Sequence, residues 1–507
     1  MSNSLLKIEK KKLRFTYSPL YTTVEPDLPQ EIVDEVLACR SYYITKFDDV
    51  RKRIVHYPIK KYIDWNFYDN GSFPSGFLGR VIAKLEENCF ELVAEQDPPK
   101  PQYDFMRFFK SYLTRKDLKL RYFQEEAVDA VKAYGNGMIE IGTGGGKTLF
   151  YGNLIANLGL RTLVITIDLT SKQQTFKEMV EMFGILNVGM IDADDFHKYP
   201  IVVANIQNCW AKMKSKDVNY LRYINTVDLL IVNECHHINE SELKNSLANT
   251  WYQVAMSIPA WYRIGATGTV GKEDSLQGFL FRAALGEIIY KKPTKELIQE
   301  GFATKIEVHV YDYYSTNQEY MSYVKAYQNL ALDKDFNRMI AKLALYYADR
   351  GYKVAVFCEW LKNQMDVLEE LLGDRCVAVS GKTKEDDRIK KFQQFAEGNP
   401  SILIGTVFNE DINIPAMDVG IILGKKKNER KVKQRTGRVA RLFEGKKRGY
   451  IVLPYVKDRR EAMIGDQRKL VPGLLDKHSK EAIRILKAEG HDIVNKNIED
   501  VNKEITV

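Results

Sequence analysis

A chain of 507 residues with a net charge of +8 is too long for one hydrophobic core, and we expect two to four domains. Its 45% hydrophobic and 28% charged residues are typical of a soluble globular protein. No apolar run approaches the roughly 18 residues of a membrane span, no signal-peptide core opens the chain, and the six cysteines include no CxxC pair. These features exclude a membrane-spanning protein and a zinc ribbon, and they predict a cytoplasmic protein with reduced thiols.

Three patterns follow one another along the chain. Residues 1–115 mix short β-rich pieces with one helical stretch, which predicts a small α+β domain that ends near the Pro-rich segment DPPKPQ. Residues 116–305 and again 306–456 alternate apolar β-branched runs with helical segments, which is typical of parallel sheets buried on both faces. We therefore predict an α/β fold with two tandem parallel-sheet lobes, followed by a charged helical tail over residues 457–507.

The segment IEIGTGGGKTLF at 139–150 has the form of a phosphate-binding loop. An apolar strand runs into glycines and then into a helix, so backbone N–H groups and the helix N-terminus can surround phosphate oxygens. Lys147 would reach the β- and γ-phosphates of a nucleotide, and the Thr148 hydroxyl would bind Mg²⁺. The predicted nucleotide-binding residues of this loop are Gly142, Thr143, Gly144, Gly145, Gly146, Lys147 and Thr148.

A second strand end, IVNECHHI at 231–238, lies where nucleotide hydrolases usually carry Asp-Glu. We predict that Glu234 is the general base for the attacking water and that Asn233 helps to hold hydrated Mg²⁺. Asn keeps a carbonyl oxygen but lacks the negative charge, so we expect about tenfold weaker Mg²⁺ affinity rather than loss of chemistry. ATP and Mg²⁺ are therefore the predicted cofactors. The neighbouring His236 is predicted to form an interlobe hydrogen bond.

A third motif, QRTGRVAR at 434–441, places Arg435, Arg438 and Arg441 along one face of a helix. Three cations on one stripe repel one another unless they face phosphates. We predict that Arg438 and Arg441 stabilise transition-state charge, with Gln434 beside them in the catalytic motif. A solvated basic helix is the alternative interpretation.

Weaker signals accompany these motifs. Arg121 and Gln124, in the segment RYFQ, precede the phosphate-binding loop and are candidates for reading and stacking on adenine. Hydroxyl groups are available at Thr267 and Thr269 of the segment IGATGTV at 264–270, and at Thr406, where another strand ends. The aromatic residues of the first domain, such as Phe73 and Phe77, either stack on bases or form a core.

Taken in order, the motifs resemble those of superfamily 2 helicases over residues 116–456. RYFQ resembles the adenine-reading motif, NECH resembles a DECH-type motif II, and QRTGRVAR resembles motif VI. The resemblance implies two RecA-like lobes that close on ATP and move along a nucleic-acid strand. It also assigns residues to the coupling of the lobes (His236, Thr267 and Thr269) and to DNA binding (Gln174, Asn205, Gln207 and Thr406).

A narrower resemblance is to the phage UvsW-type branch-migration helicases. YDNGSFPSGFLGRVIAKLEENCFEL at 68–92 resembles part of their small N-terminal domain, and LLDKHSKEAIRILKAEG at 474–490 resembles their C-terminal helix. This resemblance implies a monomeric bacteriophage motor in the host cytoplasm. It implies that the partner is branched or forked DNA and that the process is recombination, repair or replication.

Two other functions stay open. An RNA-directed or restriction-type translocase would share the fold, although we find no PD-x-ExK-like nuclease cluster. An ATP-gated DNA-binding clamp would bind ATP and hydrolyse little of it, because Asn233 replaces the usual carboxylate. The presence of Glu234, Arg438 and Arg441 favours a working motor over the clamp.

Overall fold

Two seven-stranded sheets dominate the computed structural model of this chain. The structure describes residues 11–44, 60–95, 101, 120–142, 144–192, 196–237, 250–268, 275–315, 323–358, 364–406, 417–423, 429–440, 448–464 and 467–504. They form two compact units, residues 1–141 with 147–291 and residues 142–146 with 292–507. Within the described ranges, no helix is long and apolar enough to cross a membrane.

Within residues 11–44 and 60–95, the first unit forms two small sheets and one helix of more than one turn. Their strands are β1 (Lys11–Tyr17), β2 (Tyr21–Glu25), β3 (Ala38–Ile44), β4 (Lys60–Asn66), β5 (Ser72–Pro74) and β6 (Phe90–Ala94). Strands β3 and β4 form an antiparallel pair, and the other four form a mixed sheet in the order β5-β2-β1-β6. Short helical turns and helix α1 complete this region: Gln30–Ile32, Val33–Leu37, Ser75–Phe77 and α1 (Leu78–Glu87).

The large sheet of the first unit comes from the apolar runs that follow. Its strands are β7 (Asn136–Ile141), β8 (Thr162–Thr166), β9 (Val188–Met190), β10 (Ile201–Asn205), β11 (Leu229–Asn233), β12 (Tyr262–Thr267) and β13 (Ile288–Lys292). They lie in the order β13-β7-β12-β11-β8-β10-β9, and the pairings from β7 to β9 are parallel. Every residue of β8 and β10 is buried, as a sheet covered on both faces requires.

Helices connect these parallel strands. They are α2 (Tyr122–Tyr134), α3 (Lys147–Leu158), α4 (Leu169–Phe183), α5 (Ile206–Lys214), α6 (Val218–Ile224), α7 (Thr250–Ala255) and α8 (Leu276–Leu285). Three-residue 3₁₀ turns lie at Ile185–Asn187, Phe196–Lys198 and Cys235–His237. The apolar faces of these helices and strands share one core.

The second unit contains the other large sheet. Its strands are β14 (Ile306–Tyr314), β15 (Val354–Phe357), β16 (Cys376–Val379), β17 (Ile402–Gly405), β18 (Val419–Ile422), β19 (Gly449–Lys457) and β22 (Asp492–Lys496), with the hairpin β20 (Arg459–Ile464) and β21 (Gln467–Pro472) outside it. The sheet order is β16-β17-β15-β18-β19-β14-β22, and neighbours pair in parallel. Its helices are α9 (Thr294–Gln299), α10 (Tyr323–Leu332), α11 (Lys334–Ala348), α12 (Asp366–Leu372), α13 (Glu385–Glu397), α14 (Glu429–Val439), α15 (Leu474–Ala488) and α16 (Ile498–Glu504), with a 3₁₀ turn at Gly373–Arg375. The predicted α/β fold with two parallel-sheet lobes is confirmed.

The C-terminal segment differs from the expected helical tail. Beyond residue 457 it forms three strands as well as two helices, and β22 pairs with β14 at the edge of the second sheet. Helix α15 places Ala482, Ile485 and Leu486 in the core beneath that sheet. A charged sequence with a helical period still buries one apolar stripe, which here covers the sheet. The domain boundaries themselves stay predictions.

Helix α14 lies close against the second sheet at two glycines. A Cβ on Gly420 would stand 2.8 Å from Cγ2 of Val439, and a Cβ on Gly449 would stand 3.1 Å from Cγ1 of the same residue. Val439 is the last residue of α14 and is fully buried. The missing side chains therefore allow the helix that carries Arg435 and Arg438 to contact the strands directly.

The N-terminal region packs on helix α8 of the same unit. The rings of Phe67 and Phe77 lie 6.0 Å and 5.8 Å from the ring of Phe279, measured between centroids. Phe73 and Phe77 are fully buried, so the core interpretation of these two aromatic residues is correct. The contact is tight at Gly76, because a Cβ there would stand 1.7 Å from the carbonyl oxygen of Arg282.

Gly76→Ala is expected to destabilise the first unit, because the new methyl group would overlap backbone atoms that have no room to move. Overpacking of this kind costs about 1–3 kcal/mol or more in the free energy of unfolding. Gly79→Ala is the matched control, since its Cβ would meet nothing within 4 Å and Ala favours helix. Thermal unfolding of both variants tests the packing, and equal melting temperatures for the two would contradict it.

Candidate active site

The predicted catalytic residues of the first unit lie at one edge of its large sheet. Strands β11 and β12 run parallel, with Asn233 opposite Ala266, and they end at Asn233 and Thr267. Strand β12 also pairs in parallel with β7, after which the glycine loop leads to Lys147 at the start of α3. Because parallel strands end at the same edge of a sheet, residues far apart in sequence become neighbours here.

The central contact of the site is an ion pair between Lys147 and Glu234. The ammonium group donates a hydrogen bond to Oε1 of the carboxylate, and the two side chains are only 18% and 13% exposed. Glu234 has a φ of 52°, a left-handed conformation that a non-glycine residue adopts rarely. The ion pair and the turn conformation together hold the carboxylate towards the start of α3.

The surroundings of Glu234 keep it ionised. Burial alone raises the pKa of a carboxyl group, but the charge of Lys147 and a hydrogen bond from His236 outweigh burial and hold the pKa of Glu234 well below its usual range. At neutral pH the group is therefore a carboxylate that accepts hydrogen bonds.

His236 and Thr267 complete a hydrogen-bonded network around the same carboxylate. Nδ1 of His236 lies 2.8 Å from Oγ1 of Thr267 and 3.1 Å from Oε2 of Glu234, and Thr267 donates to that oxygen over 3.3 Å. Both His236 and Thr267 are buried. These contacts of His236 link the ends of two neighbouring strands of the first unit, and its predicted interlobe hydrogen bond stays a prediction.

The turn after β11 is held close to β12 by Cys235. This residue is fully buried, and a Cβ on Gly265 would stand 2.9 Å from its sulfur atom. The side chain of Gln277 donates to the carbonyl oxygen of His236 over 3.1 Å. The absence of a side chain at Gly265 in β12 and the hydrogen bond from Gln277 of α8 thus fix the position of the network.

Asn233 has a partner that the sequence analysis did not identify. The hydroxyl of Tyr151 donates a 2.7 Å hydrogen bond to Oδ1 of Asn233. Tyr151 is buried in α3, four residues after Lys147, so both side chains project from the same face of this helix. That spacing was visible in the sequence, but an aromatic residue at such a position is more often part of a core.

The glycine loop has the expected backbone conformations. Gly144 and Gly146 have φ values of 89° and 77°, which side chains disfavour. The N–H of Gly142 donates a 3.0 Å hydrogen bond to the backbone carbonyl oxygen of Lys292. A Cβ on Gly142 would stand 2.6 Å from Oγ1 of Thr294. The N–H of Gly145 donates to Gly142. Thr143 lies outside the described residues.

The donor atoms near Asn233 fit a magnesium ion that also binds phosphates and water. Hydroxyl, amide and carboxylate oxygens are available from Thr148, Asn233 and Glu234, and hard cations such as Mg²⁺ prefer oxygen ligands. No group of three or more His, Cys, Asp or Glu residues suited to a metal occurs in the described part of the chain. Oxygen donors of this kind fit a magnesium ion, and the binding of Mg²⁺ to Thr148 and Asn233 stays a prediction.

The predicted adenine-reading residues begin helix α2. Oε1 of Gln124 accepts a 3.0 Å hydrogen bond from the backbone N–H of Arg121, and Gln124 is only 1% exposed. The guanidinium of Arg121 lies 6.0 Å from the ring centroid of Phe123, and burial lowers its pKa. The side chain of Gln124 therefore stabilises the first turn of α2, and its role towards adenine stays a prediction.

The predicted DNA-binding residues occupy several elements. Asn205 caps α5 by accepting a 2.8 Å hydrogen bond from the backbone N–H of Asn208, and Gln207 is exposed in the first turn of that helix. Gln174 donates to Glu178 within α4 over 2.9 Å. Thr406 lies half-buried after β17 in the second unit. Their contacts with DNA stay predictions.

Helices α4 and α5, which carry Gln174 and Gln207, are connected through contacts of Lys172 and Asn208 with Asp192. Lys172 of α4 and Asn208 of α5 both donate to the carboxylate of Asp192, and the Lys172 side chain is fully buried. Neither charge pattern nor spacing in the sequence predicted this contact, because Asp192 follows the short edge strand β9.

The arginine helix belongs to the second unit. Arg435 and Arg438 are buried on α14, and the guanidinium of Arg435 lies 5.7 Å from the ring centroid of Phe357. Gln434 is half-buried, and Arg441 lies outside the described residues, as does Thr269 of the first unit. Burial of Arg435 and Arg438 argues against the alternative of a fully solvated basic helix.

Comparisons with known proteins agree with these two sets of motifs. Residues 117–272 match the family model described as "Type III restriction enzyme, res subunit", and residues 336–443 match "Helicase conserved C-terminal domain". The probable helicase D10 of Escherichia phage T5 is 28% identical over 314 residues, which are 60% of this chain and 64% of that protein. This chain thus spans less than two thirds of the length of the phage relative.

One further sequence relative and one solved structure complete the comparison. The DNA 3'-5' translocase XPB2 of Sulfurisphaera tokodaii is 24% identical over 373 residues, 65% of this chain and 80% of that protein. The crystal structure of T4 UvsW aligns with 96% of this chain and 99% of its own, with 16% identity and a TM-score of 0.40.

Replacing Glu234 with Gln should destabilise the protein in a pH-dependent way. Loss of a buried ion pair costs about 3 kcal/mol in the free energy of unfolding. Because folding lowers the pKa of Glu234 from 4.5, its stabilising effect is complete above pH 4.5 and is lost as the pH falls through the lower folded value. The stability difference between the unsubstituted chain and Glu234→Gln should therefore shrink below pH 4.5.

Thermal unfolding over a pH series measures this difference. Glu125→Gln, at an exposed position of α2, is the control that should change stability little at any pH. A difference for Glu234→Gln that stays constant between about pH 3 and pH 7 would show that the ion pair is not what stabilises this site.

Proposed function

We propose that this chain is a superfamily 2 helicase that hydrolyses ATP, moves along DNA and unwinds or migrates branched DNA. The observation that carries the proposal is the Lys147–Glu234 ion pair, with His236 and Thr267 around the same carboxylate. These residues stand at the strand ends where phosphoryl-transfer enzymes of this architecture bind nucleotides. The name of one relative, DNA 3'-5' translocase, supports DNA as the substrate along which this chain moves.

The proposed reaction begins with a change of partner for Lys147. The ammonium group that pairs with Glu234 is also the group placed to contact the β- and γ-phosphates. When phosphates attract Lys147 away from Glu234, the carboxylate keeps its hydrogen bonds with His236 and Thr267. The oxygen that Lys147 has left can then accept a hydrogen bond from a water molecule. In this way phosphate binding would prepare the base that orients the water.

The remaining roles divide among residues of both units. Bound Mg²⁺ would neutralise phosphate charge, and we assign its protein contacts to Thr148 and Asn233. We assign transition-state charge stabilisation to Arg438 and Arg441, with Gln434 beside them. Adenine contacts are assigned to Arg121 and Gln124. The coupling and DNA-contacting residues are those assigned in the sequence analysis: His236, Thr267, Thr269, Gln174, Asn205, Gln207 and Thr406.

The branched-DNA part of the proposal rests on the two segments that resemble UvsW-type helicases, at 68–92 and 474–490. Both belong to folded, buried parts of the chain: Phe73 and Phe77 lie in one core and Ile485 in another. We infer a monomeric motor acting in recombination, repair or replication of branched DNA. A DNA-binding clamp is the second candidate, and the Asn at position 233 is the observation that favours it.

A magnesium titration of ATP hydrolysis with branched DNA separates motor from clamp. We expect the chain to turn over ATP and to need about tenfold more Mg²⁺ than Asn233→Asp, since a neutral ligand attracts a divalent cation less strongly. Glu234→Gln provides the inactive reference. Turnover by Asn233→Asp alone would identify the chain as an ATP-gated clamp.

Comparison of nucleic acids tests the proposed substrate. ATP hydrolysis should be stimulated more by forked and four-way DNA than by linear duplex of the same length, and least by single-stranded RNA. The measurement is the concentration of each nucleic acid that gives half-maximal stimulation, at one fixed salt concentration because phosphate contacts weaken with salt. Equal values for forked and linear DNA would remove the branch specificity, and preference for RNA would overturn the DNA assignment.

A further inference from the structure

Tyr151 contacts the one residue at which the site departs from the usual pair of carboxylates. Its hydroxyl donates to Oδ1 of Asn233 over 2.7 Å, and both residues lie in the first unit. Tyr151 is 2% exposed, so solvent does not compete for this hydrogen bond. The tyrosine lies on α3, one turn beyond the lysine of the glycine loop.

The orientation of an amide matters in a way that the orientation of a carboxylate does not. A carboxylate turned by half a rotation presents the same oxygen, whereas an amide turned in the same way replaces its carbonyl oxygen with an NH₂ group. An NH₂ group carries hydrogen atoms and cannot accept a hydrogen bond from a water molecule bound to a cation. An Asn that serves as a cation-side acceptor therefore needs a neighbour that selects one orientation.

A buried phenol provides this selection. Its oxygen shares a lone pair with the ring, so the hydroxyl is a better donor than acceptor and prefers the carbonyl end of the amide. The carbonyl oxygen has two lone pairs, and the hydrogen bond from Tyr151 occupies one of them. The second lone pair remains for a water molecule of a hydrated cation.

We propose that Tyr151 is a positioning residue that holds the amide of Asn233 with its oxygen in the acceptor position and thereby preserves the Mg²⁺ dependence of nucleotide binding. The inference rests on the proposed function, because it assumes that Asn233 faces the cation bound with ATP. The tyrosine matters more beside an amide than beside a carboxylate, because only the amide has two chemically different ends.

Four proteins test the proposal as a double-mutant cycle: the unsubstituted chain, Tyr151→Phe, Asn233→Asp and the double variant. The quantity measured is the affinity for a non-hydrolysable ATP analogue, by calorimetry, with excess Mg²⁺ and with EDTA. The ratio of the two affinities reports the contribution of the cation without any turnover. Tyr151→Phe removes only the hydroxyl and keeps the buried ring, so the packing of α3 changes little.

Tyr151→Phe should reduce the affinity ratio by about three- to tenfold in the unsubstituted chain, the range expected for loss of one hydrogen bond. In the Asn233→Asp chain the same substitution should change the ratio by less than about twofold, because both carboxylate oxygens are acceptors. Affinity in EDTA should be unchanged by Tyr151→Phe in both chains, since the phosphate contacts proposed for the glycine loop and Lys147 do not include the tyrosine.

Three results would overturn the proposal in distinguishable ways. Equal reductions in both backgrounds would show that Tyr151 supports the site without selecting the amide orientation. An unchanged ratio in the unsubstituted chain would show that the hydrogen bond has no effect on the cation. Absence of analogue binding by all four folded proteins would instead remove the proposed function, and this inference with it.

Discussion

The parallel pairing of β7, β12 and β11 is the constraint on which the site depends. Because the three strands point the same way, Lys147, the end of β12 and the turn after β11 meet at one edge of the sheet. The ion pair between Lys147 and Glu234 then joins two segments that are 87 residues apart in sequence. Without the parallel sheet, no short-range interaction would bring these groups together.

Much of this arrangement could be predicted from the sequence, because parallel strands and phosphate-binding loops have strong local signals. The apolar runs predicted both sheets, and the strand-glycine-helix order predicted the position of Lys147. Residues whose role depends on a partner elsewhere in the chain were harder to predict. Tyr151 and Asp192 have ordinary sequence contexts, and their roles become visible only when β11 and the helices α4 and α5 are in place.

Other differences have a similar physical origin. Gln124 is predicted to contact adenine, and the structure adds a second role, because its side chain accepts a hydrogen bond from the backbone N–H of Arg121 at the start of α2. The tail was expected to be helical, but β22 adds a strand to the second sheet, where the partner strand β14 is encoded almost 200 residues earlier. Local periodicity contains no information about such long-range pairing.

The charge at the site differs from that of a site with two carboxylates. Lys147 and Glu234 neutralise each other, and Asn233 adds no further charge. Attraction for a divalent cation weakens with each carboxylate that is missing, so the phosphates of a nucleotide would supply most of the negative charge. A divalent cation would then bind together with the nucleotide rather than to the nucleotide-free protein.

The close packing of α14 on Gly420 and Gly449 makes the arginine helix sensitive to substitution of either glycine. The position of the arginine helix depends on two residues that have no side chains and that touch Val439 rather than a nucleotide. A methyl group added at either glycine would crowd Val439, and relieving the crowding requires its side chain or the end of α14 to shift by a few tenths of an ångström. In a saturation mutagenesis experiment these two glycines would therefore tolerate few substitutions, as active-site residues do. They lie behind the helix, however, and have no side chain that could contact a ligand.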